Sequence, residues 1–433
     1  MAWDFETEPE FQAKLDWIRS FVEEKIEPLD LVYGGRAFHP LDDETGPLVR
    51  PMQDEIKAQG LWAAHLGPEL GGKGFGQLKL ALINEILGTS GWAPIVFGTA
   101  APDTGNAEII AHYGTEAQKA EYLQPLLNGE CFSCYSMTEP HAGADPKMFK
   151  TRAVKDGDEW VINGWKFFSS NARTARFIIV MAVTDPDVSA YQGMSMFLVP
   201  TDTPGLDVER HIGLMGEDED EGMHALIHYN NVRVPADALL GGEGQAFAVA
   251  QTRLGGGRVH HAMRTVGICQ KALDMMCERA LSRETQGSLL ADKQMVQSDI
   301  ADAYADLMQF RLLVLYTAWE IDRYHDYKRV RKNIATIKFL TPKVQESVIF
   351  KAMHLHGALG VSNEMPFGRM WSGIPIMATV DGPSEVHKVT AAKEVLKGYK
   401  PVDGLWPSEW LPAKREAARE KIALMLEHSV GNS

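Results

Sequence analysis

The sequence has few cysteines, no long apolar run and no excess of positive charge. Four cysteines in 433 residues cannot make a disulfide framework. The longest apolar runs, such as Phe177–Val183, have the length of a strand, whereas a membrane-spanning helix needs about 18 uncharged apolar residues. Residues Met1–Glu6 are acidic where a secretory signal needs a basic start. We expect a reduced, cytoplasmic protein that does not enter a membrane.

The charge balance argues against nucleic acid as a partner. There are 43 Lys and Arg against 58 Asp and Glu, so the formal net charge is -15. Such a surface repels phosphate backbones unless a basic patch is set apart, and the sequence contains no such patch. With 45% hydrophobic and 23% charged residues, the composition is that of a folded protein, and its length indicates two or three domains.

Three zones of different periodicity follow one another along the chain. Apolar residues recur at helical spacing over residues 8–129, and helical spacing returns over residues 244–426. Residues 131–240 instead contain short apolar runs separated by turn residues, which is typical of strands. Asn163-Gly164 lies between two apolar runs and predicts a hairpin turn, because both residues tolerate positive φ.

No cluster of side chains has the spacing of a metal site. Adjacent histidines do not share a helix face, the single Cys-x-x-Cys has no second pair, and the run of five carboxylates lacks the central glycine of a calcium loop. These candidates are His260-His261, His354 and His356, Cys131 and Cys134, and Glu217–Glu221. We predict no bound metal.

Three polar segments could carry chemistry, although each also has a purely structural interpretation. Thr138–Asp145 follows an apolar strand and could form the rim of a ligand site or a domain crossover. Lys166–Asn171 places aromatics beside hydroxyls, a set that could bind a planar ring or fill a core. Asp381 lies beside Gly382 and Pro383, where an aspartate is either a helix cap or a general base.

Together, in this order and spacing, these segments resemble the acyl-CoA dehydrogenase family from about Phe11 to Tyr399. The matching motifs are Pro68–Gly72, Tyr113–Lys119, Met137–Pro140, Ile162–Lys166, Val234–Asp237, Leu254–His261 and Asp381–His387. The resemblance implies an α+β multidomain protein with an N-terminal α-helical domain, a middle β-barrel and a C-terminal four-helix bundle. We place these domains at residues 1–130, 131–242 and 243–400, followed by a tail helix at 401–433.

The resemblance also implies FAD, bound between barrel and bundle and partly by a neighbouring subunit of a homodimer or homotetramer. Thr138 matches the residue that bonds the flavin ring, Phe168 the aromatic that stacks on it, and Ser170 a hydroxyl near N5. Ala144 replaces the usual serine, so one hydroxyl contact is lost. The cofactor-binding residues implied on the chain's own side are Tyr135, Met137, Thr138, Gly143, Ala144, Phe168, Ser170 and Glu385.

Five further residues match family positions that approach FAD. Arg283, Thr285 and Gln294 match residues that reach the diphosphate and ribityl chain across a subunit boundary, and Gly357 and Ala358 match a pair close to the cofactor.

In the family, a carboxylate removes the α-proton of the substrate, and here the matching residue is Asp381. A second branch supplies this carboxylate from the position that is Gly257 here, which cannot act as a base. Proton transfer needs near hydrogen-bond contact, so the shorter aspartate requires a closer approach of loop and substrate. Arg258 and Gly382 match substrate-side positions, with Arg258 near the CoA moiety.

The activity implied is α,β-dehydrogenation of an acyl-CoA in fatty acid β-oxidation, with an electron-transfer flavoprotein as the electron acceptor. Two alternatives stay open. A nitroalkane-oxidase-like flavin oxidase also uses an aspartate in this loop, and a non-catalytic subunit could share the fold.

Overall fold

The N-terminal part of the chain is helical. The computed structural model describes residues 6–219 and 222–430, so Met1–Phe5 of the acidic N-terminal segment and Asp220 and Glu221 of the carboxylate run lie outside the described residues. The helices of this part are α1 Pro9–Phe21, α2 Glu27–Tyr33, α3 Gly46–Ala58, α4 Gly76–Leu87, α5 Ala93–Val96, α6 Asp103–Tyr113, α7 Glu116–Gln118 and α8 Gln124–Asn128. Thr115 caps α7, as its hydroxyl accepts from the Gln118 N–H and the Gln118 side chain returns to the Thr115 N–H.

The middle of the chain is a curled sheet. Its strands are β1 Phe132–Ser136, β2 Arg152–Asp156, β3 Glu159–Lys166, β4 Ala175–Val183, β5 Met194–Pro200, β6 Leu206–Ile212 and β7 His224–Pro235. They pair in the order β1-β4-β2-β3-β7-β6, and β5 also pairs with β4. β1 runs parallel to β4, and the β2–β3, β3–β7, β6–β7 and β4–β5 pairs are antiparallel.

The hairpin predicted at Asn163-Gly164 is wrong. Both residues lie inside the continuous strand β3, where the pairing with β7 shifts between Ile162 and Gly164. Gly164 has φ of 144°, and a Cβ there would lie 2.6 Å from the Thr151 Cα, so the glycine serves a close backbone approach at a bulge rather than a turn. The turn that joins β2 to β3 lies at Gly157, whose φ is 64°.

The C-terminal part is a bundle of long helices. Its elements are α9 Ala246–Ser282, the short strands β8 Glu284–Thr285 and β9 Ser288–Leu289, α10 Gln294–Tyr324, α11 Tyr327–Leu355, α12 Phe367–Thr379, α13 Ser384–Leu396 and α14 Leu411–Val430. α11 packs on α9, α10, α12 and α13, and α9 also packs on α10 and on α4 and α6 of the N-terminal part. One continuous apolar core therefore joins the N-terminal helices to the bundle, from Phe11 through Trp92 to Phe367.

The fold brings α9 and α11 against the loop between α12 and α13. The end of β1 lies near the same region, since Arg253 of α9 stacks on Tyr135. Among the described residues, no helix is both long enough and apolar enough to cross a membrane.

Candidate active site

Asp381 lies in the four-residue loop Val380–Pro383 between α12 and α13, in an unusual backbone conformation. Its φ is +54°, in the left-handed region that non-glycine residues seldom adopt. Its carbonyl oxygen accepts from Arg258 Nε at 3.0 Å and lies 3.2 Å from His387 Nε2. Gly382 follows with φ of +101°. Two side chains therefore hold a strained peptide in place, a pattern that often marks a functional position.

The Asp381 carboxylate faces α9 at Gly257. A Cβ added at Gly257 would lie 2.9 Å from Asp381 Oδ2, so a larger residue there would displace the carboxylate. His261 lies one helical turn further on the same face, and its Nε2 is 3.5 Å from Asp381 Oδ2. The carboxylate and Gly257 are both only partly buried, whereas His260 on the next face is buried.

Positive charge surrounds this single carboxylate. Lys338 of α11 is buried and donates to the Met377 carbonyl of α12, and burial lowers its pKa to about 8. Burial also lowers the pKa of Arg264 to about 10 and that of Arg258, while the negative charge of Asp381 opposes the shift in all three. Three cations therefore lie within electrostatic range of Asp381, and Arg258 bonds its backbone carbonyl.

A second carboxyl group lies against the neighbouring glycine of α9. A Cβ at Gly256 would lie 2.8 Å from Glu108 Oε2, and one at Gly255 would lie 3.4 Å from the Tyr327 ring. Tyr327 donates to Glu108 over 3.4 Å, and burial raises the pKa of Glu108 to about 8. Each of the three consecutive glycines therefore lets one side chain come close to the helix. This close packing explains why glycine occupies these positions although it destabilises a helix interior.

The predicted flavin-side residues come together at the ends of β1 and β3. Phe167 N donates to the Thr138 carbonyl at 2.9 Å, and Tyr135 pairs with Ser170 in an isolated bridge. Tyr135 Oη donates to the Met137 sulfur. The structure thus assembles five of the predicted residues, Tyr135, Met137, Thr138, Phe168 and Ser170, from two separate stretches of sequence.

This surface fits a planar aromatic cofactor. Phe168 is 43% exposed and has φ of +57°, which is a rare conformation for a bulky residue. Ser170 Oγ lies 2.9 Å from His224 Nδ1 beside it. An exposed aromatic face next to hydroxyls is what a stacked isoalloxazine ring requires, so these residues could hold FAD. Gly143 and Ala144 are exposed in the adjoining loop, and Glu385 is exposed in the first turn of α13.

The other predicted cofactor residues lie far along the helices from Asp381. Arg283 follows Gly257 by 26 residues, about 39 Å along the axis of α9, and Thr285 lies in the hairpin beyond it. Gln294 begins α10 and is exposed. Gly357 and Ala358 are exposed beyond the end of α11, about 28 Å along the axis from Lys338.

Sequence reasoning missed several residues of the site. It rejected His260 and His261 as metal ligands and gave them no role in the site, and it did not consider His387, Lys338 or Arg264. The sequence did contain a signal for His261, because it follows Gly257 by four residues. Residues four apart share a helix face, so His261 lies on the same face as Gly257, which meets Asp381. Lys338 carried no local signal. Among the described residues, no three His, Cys, Asp or Glu side chains are grouped so that they could hold a metal ion.

Family comparisons agree with this architecture. The acyl-CoA dehydrogenase N-terminal domain family matches residues 8–130, the middle domain family residues 134–232 and the C-terminal domain family residues 244–396. The chain is similar to the solved butyryl-CoA dehydrogenase of Megasphaera elsdenii, with 28% identity and a TM-score of 0.79 over 91% of this chain and 100% of that one. The fold is therefore that of the acyl-CoA dehydrogenases.

Sequence relatives are closer still. The Mycobacterium tuberculosis protein named "Probable acyl-CoA dehydrogenase FadE2" is 42% identical over 372 residues, which cover 84% of this chain and 89% of that protein. The Gallus gallus protein "Acyl-CoA dehydrogenase family member 11" is 41% identical over 80% of this chain, but the match covers only 45% of that longer protein. This chain belongs to the acyl-CoA dehydrogenase family, whose members are FAD-dependent oxidoreductases.

Proposed function

We propose that this chain binds FAD and converts an acyl-CoA thioester to the trans-2-enoyl-CoA, with Asp381 as the base that removes the α-proton. The observation that carries the proposal is the position of Asp381. Its carboxylate lies against Gly257, and its backbone carbonyl is held by hydrogen bonds from Arg258 and His387. General bases of this kind contribute about 10²- to 10⁴-fold to a rate.

The residues around Asp381 support this role. His261 Nε2 lies 3.5 Å from Asp381 Oδ2, where an N–H on that nitrogen would orient the carboxylate. Burial lowers the pKa of this imidazole to about 4, so at pH 7 it is neutral and has a single N–H. The three cations favour negative charge as it develops on the thioester oxygen. The Asp381 backbone N–H is the donor we assign to that oxygen.

Bound FAD would supply the acceptor for the β-hydride, and the protein would supply alignment and exclusion of water. The surface formed by Thr138, Phe168 and Ser170 is where we place the flavin ring. We further propose an electron-transfer flavoprotein as the acceptor that reoxidises the enzyme. Arg258 and Gly382 are assigned to the substrate side.

An anaerobic titration of the purified holoenzyme with a panel of acyl-CoAs tests the proposal. We expect bleaching of the oxidised-flavin absorbance with at least one class of acyl-CoA. Bleaching by a nitroalkane and by no acyl-CoA would instead indicate the oxidase, and a colourless protein that does not take up FAD would indicate a non-catalytic role.

The base is tested by Asp381→Asn. We expect kcat to fall by about 10²- to 10⁴-fold while the flavin stays bound. Asp403→Asn, which changes an exposed aspartate outside the site, is the matched control and should retain full activity. An Asp381→Asn protein as active as this control would overturn the assignment.

A further inference from the structure

The stacked pair of Arg253 and Tyr135 connects the helix of Gly257 to the flavin-side surface. Arg253 precedes Gly257 by four residues, so it lies on the same face of α9, about 6 Å along the axis before this glycine. The central carbon of its guanidinium lies 3.7 Å from the centre of the Tyr135 ring. Tyr135 in turn pairs with Ser170. A cation therefore lies directly behind an aromatic residue of the surface where we place the flavin.

Neighbouring groups fix the Arg253 side chain in this position. Its Nε donates to Asn106 Oδ1 of α6 at 2.8 Å, and Asn106 Nδ2 donates to the Ser133 hydroxyl of β1 at 2.9 Å. Asn106 and Ser133 are both fully buried. A Cβ at Gly105 would lie 2.8 Å from Arg253 Cγ, so the glycine leaves the space that the arginine occupies. The guanidinium is thus held along one edge and across one face.

No ion pair neutralises the charge of Arg253. Among the described residues, no carboxylate oxygen lies within ion-pair distance of its guanidinium, and its side chain contacts an amide and a phenol. Burial raises the pKa of the Tyr135 phenol to about 12, so the phenol is neutral at pH 7. Burial also raises the pKa of the carboxyl groups of α6, Asp103 to about 7 and Glu108 to about 8, which reduces their negative charge.

A fixed positive charge has a chemical use beside a flavin. When neutral oxidised flavin accepts a hydride from the substrate, the reduced ring system carries one negative charge, and the α-proton stays on Asp381. A nearby cation stabilises this negative charge and has little effect on the neutral oxidised ring. The charge of Arg253 therefore favours the reduced form over the oxidised form.

A purely structural role is the alternative interpretation of Arg253. The side chain joins α9 to α6 and β1, so its loss would alter stability and the affinity for FAD. This role does not depend on charge and predicts no specific change in the reduction potential of the flavin that stays bound. The two interpretations therefore differ in a measurable quantity.

We propose that Arg253, stacked behind Tyr135, is a positioning residue that holds a positive charge at the flavin site and makes bound FAD easier to reduce. This inference rests on the proposed function and adds to it a residue distinct from the base. Arg253 acts through Tyr135 and through its electrostatic potential at the flavin.

Anaerobic equilibration of the holoenzyme with a redox dye tests the proposal. The ratio of reduced to oxidised flavin is measured at one fixed potential and at pH 7 in wild type, Arg253→Gln and Arg253→Lys. We expect Arg253→Gln to lower this ratio by about tenfold, which corresponds to about 30 mV for a two-electron couple. Arg253→Lys keeps the charge but loses the planar stack, so its ratio should lie closer to wild type than to Arg253→Gln.

Arg329→Gln is the matched control for the loss of charge. Arg329 also stacks on a tyrosine, Tyr324, at 3.5 Å, but it is exposed in the first turn of α11. The control should leave the ratio within about twofold of wild type. Equal ratios in wild type and Arg253→Gln would overturn the inference. Equal losses in both variants of Arg253 would overturn it as well, because the charge would then not be the cause.

The absorption spectrum of the fully reduced wild-type holoenzyme at pH 7 gives a test that needs no variant. We expect the anionic form of the reduced flavin, because a nearby cation disfavours its protonation, and the neutral form would overturn the inference. A protein that takes up no FAD would refute both this inference and the proposed function. If no acyl-CoA bleaches the bound flavin, only the proposed dehydrogenation fails, because the equilibrium with the dye requires no acyl-CoA.

Discussion

Asp381 illustrates how single residues determine this site. An aspartate in the left-handed region costs of order 1–3 kcal/mol, and the hydrogen bonds of Arg258 and His387 to its carbonyl offset that cost. The same conformation points the carboxylate at Gly257, the position where a second branch of the family would place its own carboxylate. A side chain at position 257 would therefore displace the Asp381 carboxylate from its present position.

Gly257→Ala tests this geometry at the residue scale. The added methyl would meet Asp381 Oδ2 at 2.9 Å and push the carboxylate aside, so we expect kcat to fall by at least about tenfold. Alanine also favours a helix interior by about 1 kcal/mol, so the thermal midpoint should stay the same or rise. Activity and stability would then change in opposite directions.

Gly373→Ala is the matched control for this substitution. Gly373 lies inside α12, and a Cβ there meets nothing within 4 Å. It should gain the same helical stability and keep full activity. If Gly257→Ala is as active as this control, the activity does not depend on the space that Gly257 leaves for the Asp381 carboxylate.

At the scale of elements, a buried ion pair joins the strands that form the flavin-side surface. Lys166 at the end of β3 donates to Glu139 at 3.0 Å and to the Met137 carbonyl at 2.7 Å, and both charged side chains are buried. Glu139 also accepts from the backbone N–H groups of Lys150 and Thr151 before β2. The loop that follows β1 is therefore fixed to β2 and β3.

Glu139→Gln should destabilise the protein by about 3–5 kcal/mol at pH 7, because it leaves Lys166 buried without its partner. Burial raises the pKa of Glu139, but Lys166 and the two backbone N–H groups outweigh it and lower the pKa overall from 4.5. The stabilisation from the charged Glu139 side chain is thus present above about pH 4.5. It is lost as the pH falls through the lower pKa that Glu139 has in the folded protein.

Chemical unfolding at pH 7 and at pH 4 and below measures this effect. The difference in the free energy of unfolding between wild type and Glu139→Gln should become smaller toward low pH. Glu159→Gln, which removes an exposed carboxylate paired with Arg233, should change little at any pH. A constant difference across this range would contradict the role of the Glu139 charge.

At the scale of the whole molecule, the predicted cofactor residues form two groups on one chain. The surface around Phe168 lies at the ends of β1 and β3, whereas Arg283 follows the far end of α9, about 39 Å along the helix from Gly257, and Gln294 begins α10. We propose that the second group completes the site of a neighbouring copy, in a symmetric dimer or in a tetramer built from such dimers.

Complementation between two inactive variants tests this arrangement. Asp381→Asn lacks the base, and the double variant Arg283→Ala/Gln294→Ala lacks the distant group. Co-expressed in equal amounts, half of the dimers are mixed and one of their two sites is intact, so we expect about 25% of wild-type activity. Activity no higher than that of the separately expressed variants would mean that each site is complete within one chain.

The sequence determined the order of the helical, strand and helical zones, because apolar periodicity is a local property that each element must satisfy to bury one face. It also indicated the aspartate of the loop before α13, since a family motif is read from adjacent residues. Asn163-Gly164 shows the limit of local cues. The same dipeptide suits a turn or a bulge, and pairing with β7 decided for the bulge.

The surroundings of Asp381 were decided only by the tertiary structure. Arg258 and His261 come from α9, Lys338 from α11 and His387 from α13, and their positions around one carboxylate depend on how three helices pack. No periodicity distinguishes a buried lysine beside a base from a lysine on a solvated face. The sequence alone therefore determined which elements form and which residue could be the base, while long-range packing decided which charges that base meets.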